Sequence, residues 1–252
     1  MTASTRTAAP CSAAKRAAVE LCRDRLDDAL DDVFVALATM ADGVEDAWRQ
    51  RDGVPFVRDD ISGFQAAIFE QLDAMPAFDS AGYAMVEGTL SDCRRHLEWW
   101  NRSSADTYQP LILNVEVGAH DPSLGDFYDY YAKRWFLAAF EHRRYVDGPF
   151  IDLPCADIFI CTFSVPIVAD GQLLGIAGAD VAVSRFESEL LPPLRSLASP
   201  AVLINAERRV VTSNDPSWIS GEKLSTMPSP GADDWIAVAP ISDIGWTLAV
   251  AR

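Results

Sequence analysis

From Val19 onward the apolar residues Val19, Cys22, Leu26, Leu30, Val33, Leu37, Met40, Val44 and Trp48 recur at steps of three and four, the spacing that lines one face of an α-helix. The acids between them, Asp24, Asp27, Asp28, Asp31 and Asp32, fall largely on the other faces. The pattern predicts a long amphipathic helix whose apolar stripe needs a partner surface. Packing on its own domain is the first reading, and pairing of two chains is the second. Gly53-Val54-Pro55 ends the helix. A second helix is predicted over Ile61 to Leu72, with Phe64, Ile68 and Phe69 on one side and Met75-Pro76 closing it.

Beyond Pro76 the helical spacing gives way to short apolar runs with turn residues between them. Tyr83–Val86, His96–Trp100 and Leu111–Val117 read as strands. The aromatic run from Phe127 to Arg144 suggests a short helix, or a loop and helix, lying on a sheet. Ile158–Val168 and Gln172–Val181 are two β-rich runs joined by Ala169-Asp170-Gly171, and Asp-Gly between apolar runs is a strong hairpin signal. A helix from Ser184 to Leu191 is expected to stop at Pro192-Pro193. Two further β-rich runs start at Ala201 and Trp235, with the Ser/Pro/Gly-rich loop Ser225–Gly231 between them. Strands in runs with local helices, and no regular strand-helix alternation, define an α+β class with an antiparallel sheet.

Length adds that 252 residues make one to two domains, at roughly 150 residues each. With 21 basic and 37 acidic residues the chain carries a formal charge of −16. A phosphate backbone is repelled by such a surface, so nucleic acid is not expected as a partner. No run of about 18 uncharged apolar residues occurs, and the start of the chain has no signal-peptide core, so a membrane span is not expected and a cytoplasmic location is. Five cysteines, Cys11, Cys22, Cys93, Cys155 and Cys161, are odd in number and contain no CxxC pair, which fits reduced thiols.

The candidate chemistry begins with exclusions. His96, His120 and His142 stand apart with no HxxH or HExxH spacing, and no GxSxG precedes a helix, so no zinc site, triad or cofactor is expected. Gly175 and Gly178 lie inside a predicted strand and read as sites of close packing or ligand approach. The informative stretch runs from Tyr128 to Asp180. Tyr128, Tyr130, Tyr131, Trp135 and Phe136 lie beside Lys133 and Arg134, followed by Phe150, Asp152 and Asp180. Charges of both signs among aromatics suit a small zwitterion: a cation for its carboxylate, an acid for its ammonium, and an apolar wall that excludes water. An amine needs only the acid and the rings. A packed aromatic core with solvated charges fits the same pattern.

The order Tyr128-x4-Lys133-Arg134-Trp135-Phe136, Gly148-Pro149-Phe150-x-Asp152, Thr162-x3-Pro166, Asp170-Gly171 and Gly175-x2-Gly178-x-Asp180 resembles the Cache (PDC-like) sensor domains of bacterial chemoreceptors and sensor kinases. The similarity covers about Tyr83 to Leu191, and the part from Ala201 to Ala251 resembles a shortened membrane-proximal unit of the double form. The resemblance implies a long N-terminal helix within a helical region over residues 1–75, a PAS-like antiparallel ligand-binding domain over 76–195 with helices packed on it, and a small C-terminal β unit over 196–252. It also implies a non-enzymatic sensor. In the amino-acid-sensing members the positions of Tyr128, Trp135, Asp152 and Asp180 face the ligand. Lys133 stands where that group has arginine, Phe136 where it has tyrosine, and Phe150 where it has a second tyrosine. Lysine lacks the bidentate fork of arginine, and fewer hydroxyls favour an amine or a more hydrophobic ligand.

The expectation is therefore a stand-alone sensor of an amine- or amino-acid-like metabolite. Asp180 and Asp152 would accept the ammonium, Tyr128, Tyr131, Trp135, Phe136 and Phe150 would wall the site, and Lys133 or Arg134 would meet a carboxylate. A protein partner would read the signal, with a homodimer through the N-terminal helix as one form of it. A small hydrolase or lyase using the pocket carboxylates is the alternative.

Overall fold

The long helix forms because its stripe is almost unbroken and no glycine or proline interrupts the apolar face. In the computed structural model, which describes residues 13–104, 107–116, 126–141, 144–151, 159–232 and 234–252, α1 spans Ala13–Gln50. Leu26, Leu30, Leu37, Met40 and Val44 are all fully buried within the chain, so the stripe is consumed by the protein's own core. After it, Asp52 and Gly53 take left-handed backbone angles (φ 53° and 76°) and turn the chain. The single helix expected over Ile61–Leu72 is two, α2 (Arg58–Ser62) and α3 (Gln65–Ala74), divided at Gly63 and Phe64.

Two compact units follow, one of Asp31–Phe186 and the other of Glu187–Arg252 with the start of α1 up to Leu30. In the first, β1 (Phe78–Met85), β2 (Leu97–Ser104), β3 (Thr107–Pro110), β4 (Tyr145–Ile151), β5 (Phe159–Ala169) and β6 (Gln172–Ala182) form one antiparallel sheet. Its order is β3-β2-β1-β6-β5-β4. Asp170 and Gly171, both at positive φ (51° and 78°), make the tight turn of the β5–β6 hairpin that the Asp-Gly pair announces. The expected strand at Leu111–Val117 is absent from 111–116. Ladder pairing with β2 ends at Pro110, whose ring removes a ladder donor; beyond it the Leu111 N–H still donates to Trp99 O at 2.7 Å, and Asn114 forms an isolated bridge to Phe127.

The two sheet faces are used differently. On one, Phe163 meets Phe34 of α1 edge-on at 5.5 Å, the buried Tyr83 hydroxyl donates to Met40 O at 3.4 Å, and Trp100 packs on Phe69 of α3. The other carries a short 3-10 turn (Tyr130–Ala132) and α4 (Arg134–Glu141). These are held by a cluster of Ala84, Trp99, Tyr130, Trp135, Phe136 and Ile176.

A helix, α5 (Val183–Arg195), leads into the second unit and runs through Pro192 and Pro193 instead of stopping there. Phe186, Leu190 and Leu194 are all buried, and this stripe at steps of four outweighs two missing backbone donors in the last turn. A four-stranded antiparallel sheet of β7 (Ala201–Ile204), β8 (Val210–Ser213), β9 (Trp235–Ile241) and β10 (Trp246–Ala251) completes the unit in the order β8-β7-β10-β9. Val202, Ile204, Val210 and Ala249 form its core beside the stacked rings of Trp218 and Trp235.

Candidate ligand-binding site

On the sheet face that carries α4, register brings a row of polar side chains together. Asp147 of β4 lies opposite Thr162 of β5, Thr162 opposite Asp180 of β6, and Asp180 opposite Ser80 of β1. Side chains directly opposite one another share a face, so the four form a band across the sheet. Thr162 Oγ1 donates to Asp180 Oδ1 at 2.6 Å, and Ser80 Oγ donates to Asp180 Oδ2 at 2.7 Å. Trp99 Nε1–H in turn donates to Ser80 Oγ at 2.8 Å. Both oxygens of Asp180 are thus oriented from within the fold.

Above this band lies a cavity of about 470 Å³, within the size range of metabolite sites. Trp99, Trp135 and Tyr128 wall it with rings, Leu97, Leu111, Leu113, Phe150, Ile151 and Ile160 supply apolar surface, and Lys133, Arg134, Asp147 and Asp180 bring charge. A β-bulge between Asp147 and Phe150 shifts β4 by one residue. The two side chains therefore both line the cavity although they are an odd number apart. Gly178 explains the seat of Trp99: a Cβ there would meet Trp99 Cη2 and Phe163 O, each at 2.9 Å.

The charged groups differ in setting. Lys133 Nζ stands 4.8 Å from the centre of the Tyr128 ring, a cation–π distance. Asp147 is half-buried, and desolvation pushes its carboxyl up from the ordinary value, against Arg134 and the backbone N–H groups of Gly148 and Trp135, which draw it down. Arg134 Nε is 3.9 Å from Asp147 Oδ1, and a guanidinium N–H of Arg134 donates to the Tyr145 hydroxyl at 3.0 Å. An anionic floor, ring walls and cations at the start of α4 can hold a small molecule that carries an ammonium group.

Of the residues expected at the site, Tyr128, Lys133, Arg134, Trp135, Phe150 and Asp180 come together around the cavity, while Tyr131 and Phe136 are not in its lining. Phe136 is fully buried among the rings of Tyr130, Tyr131, Trp135 and Phe140. Tyr131 lies under the Arg95 guanidinium at 4.2 Å, and its hydroxyl accepts the Glu87 N–H. Both support the wall from behind. Asp152 lies outside the described residues, as do Cys155, His120 and His142. Sequence reasoning missed Trp99, Thr162, Ser80 and Asp147. The alternation Thr162-x-Ser164 against Gly178-x-Asp180 was the available signal for a polar band on one face.

A long helix before an antiparallel sheet, a cavity under a loop and short helix, and a second small sheet define the class: this is the fold of the Cache-type sensory ligand-binding domains of chemoreceptors and histidine kinases. No protein-family model and no curated protein matches the sequence. The chain is similar to the sensory domain of the Campylobacter jejuni chemoreceptor Tlp3 (CcmL), with a TM-score of 0.64 at 11% identity over 95% of this chain and 92% of that one. It is likewise similar to the Tlp3 ligand-binding domain in complex with L-valine (TM-score 0.62, 10% identity, 95% and 91% covered). The ligand-binding domain of the Pseudomonas aeruginosa PAO1 amino acid chemoreceptor PctC, in complex with GABA, matches with a TM-score of 0.55 at 15% identity, over 92% and 97% of the two chains. These neighbours are sensory ligand-binding domains and not enzymes. Among the described residues no helix is long and apolar enough to cross a membrane.

Proposed function

We propose that this chain is a sensor module that binds an amine- or amino-acid-like metabolite in the cavity above Asp180 and passes the event to a protein partner. The observation that carries the reading is the double support of Asp180. Its two oxygens accept hydrogen bonds from Thr162 and Ser80, which orient the carboxyl group beside the cavity, where an ammonium group can meet it. Trp99, Trp135, Tyr128 and Phe150 form the ring and apolar walls, and Lys133 or Arg134 takes a ligand carboxylate. The chemoreceptor domains bound to L-valine and to GABA support an amino-acid-like ligand by analogy of fold.

The compartment and the output surface belong to the same proposal. Cys22, Cys93 and Cys161 are free thiols, which suits a reducing cytoplasm. Because the apolar stripe of α1 is buried within the chain, contact with a partner or a second copy would use the outer side of that helix, where Leu21 and Val35 are exposed. The test is a thermal-shift screen of amino acids, amines, carboxylates and purines on the full chain. A ligand at about 100 times its Kd stabilises by about 2.7 kcal/mol. Asp180→Ala is expected to abolish the shift given by any amine found, and an unchanged shift removes Asp180 from the site.

A further inference from the structure

The cavity contains a second half-buried acid that ammonium binding at Asp180 alone does not use. Asp147 enters from β4, with Thr162 in register between it and Asp180. Strands lie about 4.8 Å apart, so the two acids sit on backbones roughly 10 Å apart. The Asp147 side chain is 15% exposed, whereas that of Arg134, its charged neighbour at 3.9 Å, is 55% exposed. A solvated guanidinium at that distance offsets little of the cost of burying a carboxylate. Gly148 and Trp135 donate backbone N–H groups to Asp147, but a carboxylate has about four acceptor positions, and this one borders the cavity. Trp135 and Trp99 line the same cavity, and their ring surfaces suit methylene groups.

We propose that Asp147 is a second anionic anchor and that the cavity takes a molecule with an ammonium group at each end of a short aliphatic chain, one end on Asp180 and the other on Asp147. This rests on the reading of Asp180 as an ammonium site. The two-ended chemistry belongs both to diamines and to diamino acids. Lys133 separates them, since only a diamino acid has a carboxylate for it to meet. The bland role of Asp147 is structural: it caps α4 from outside by accepting the Trp135 N–H. Asparagine keeps that acceptor and removes the charge.

The experiment is isothermal titration of the full chain with L-lysine, with L-norleucine, which has the same chain without the terminal ammonium, and with 1,5-diaminopentane. L-Lysine or 1,5-diaminopentane is expected to bind about tenfold or more tightly than L-norleucine, the scale of one charge-assisted hydrogen bond. Asp147→Asn is expected to erase that advantage and leave L-norleucine within about twofold. A preference for L-lysine that Lys133→Met removes assigns diamino acids; equal binding of both dications, indifferent to Lys133→Met, assigns diamines. Either supports two anchors. L-Norleucine binding as well as L-lysine in the unaltered chain overturns the inference and needs no variant. So does Asp147→Asn weakening all three probes alike, which is the mark of a purely structural cap. If another amine binds in a manner that depends on Asp180 while neither dication does, the second anchor fails and the ammonium site stands. If no amine binding depends on Asp180, the reading beneath it fails.

Discussion

Trp99 reaches Asp180 through one hydroxyl: the indole N–H donates to Ser80 Oγ at 2.8 Å and Ser80 donates to Asp180 at 2.7 Å. Ser80 and Trp99 are both buried, so the relay cannot be replaced by bulk water. Ser80→Ala leaves a buried indole N–H without its acceptor and releases one oxygen of Asp180. The expected cost is about 1–3 kcal/mol, read from urea unfolding with an unchanged m-value. A ligand that binds through Asp180 is also expected to weaken, because the carboxyl group loses the hydrogen bond that Ser80 donates to it.

Gly178 sits under the same tryptophan. Gly178→Ala introduces a Cβ at 2.9 Å from both Trp99 Cη2 and the Phe163 carbonyl oxygen. The backbone on that side cannot yield, since β5 pairs directly with β6 there, so the indole must rise into the cavity. The expected outcome is a loss of about 1–3 kcal/mol from overpacking together with weaker binding of any ligand the screen finds. Thermal melts check the first part and titration the second.

The elements of the fold were legible where local signals are strong: the stripe of α1, and the Asp-Gly turn of the β5–β6 hairpin. The strand at Thr107–Pro110 was not, because a four-residue edge strand ending in proline carries too little pattern to separate from loop. The cavity was half legible. Tyr128, Trp135 and Asp180 are near enough in the chain, and unusual enough in type, to suggest a pocket. Thr162 was hidden by a bulge. Continuing the pairing Ala169 with Gln172 residue by residue would set Cys161 against Asp180, and the shift between Ile167 and Val168 puts Thr162 there instead. Asp147 was hidden by the second bulge, at Gly148-Pro149, which turns both it and Phe150 to the cavity. A one-residue slip exchanges faces, and sequence does not announce where such slips fall.

Glu98, on the helix-facing side of β2, predicts one sign of pH dependence. Burial pushes its carboxyl up, but the His96, Trp100 and Ser62 side chains outweigh this and hold it below the ordinary value. Ser62 Oγ donates to it at 2.9 Å and Trp100 Nε1 at 2.7 Å. A depressed folded pKa contributes stability above the unfolded value, and that stability is lost as pH falls through the folded one. The stability advantage of the unaltered protein over Glu98→Gln is therefore expected to be full at neutral pH and to shrink as the solution is acidified below about 4.5. Urea unfolding of both proteins across that range is the check.

Asp147 predicts the opposite sign on the other face of the same sheet. Its folded pKa lies above the unfolded one because burial outweighs Arg134 and the two backbone donors. The groups around it are Arg134, the Asp180 carboxylate across Thr162, and the Cys161 thiol, whose own pKa burial pushes well up. The folded chain thus holds a proton on Asp147 more readily than the unfolded chain. The contribution is fully present below the unfolded value of 3.8 and is lost as pH rises through the raised folded value. Relative to Asp147→Asn, the unaltered protein is expected to lose stability with rising pH across that window, whereas relative to Glu98→Gln it gains. A dicationic ligand reverses the Asp147 trend: it binds the ionised form, so its affinity is expected to fall as acid protonates Asp147, with protons released to buffer on binding. Titration in two buffers of different ionisation enthalpy measures that release. A proton count of zero in the unaltered protein, at a pH inside the window, would separate Asp147 from the ligand.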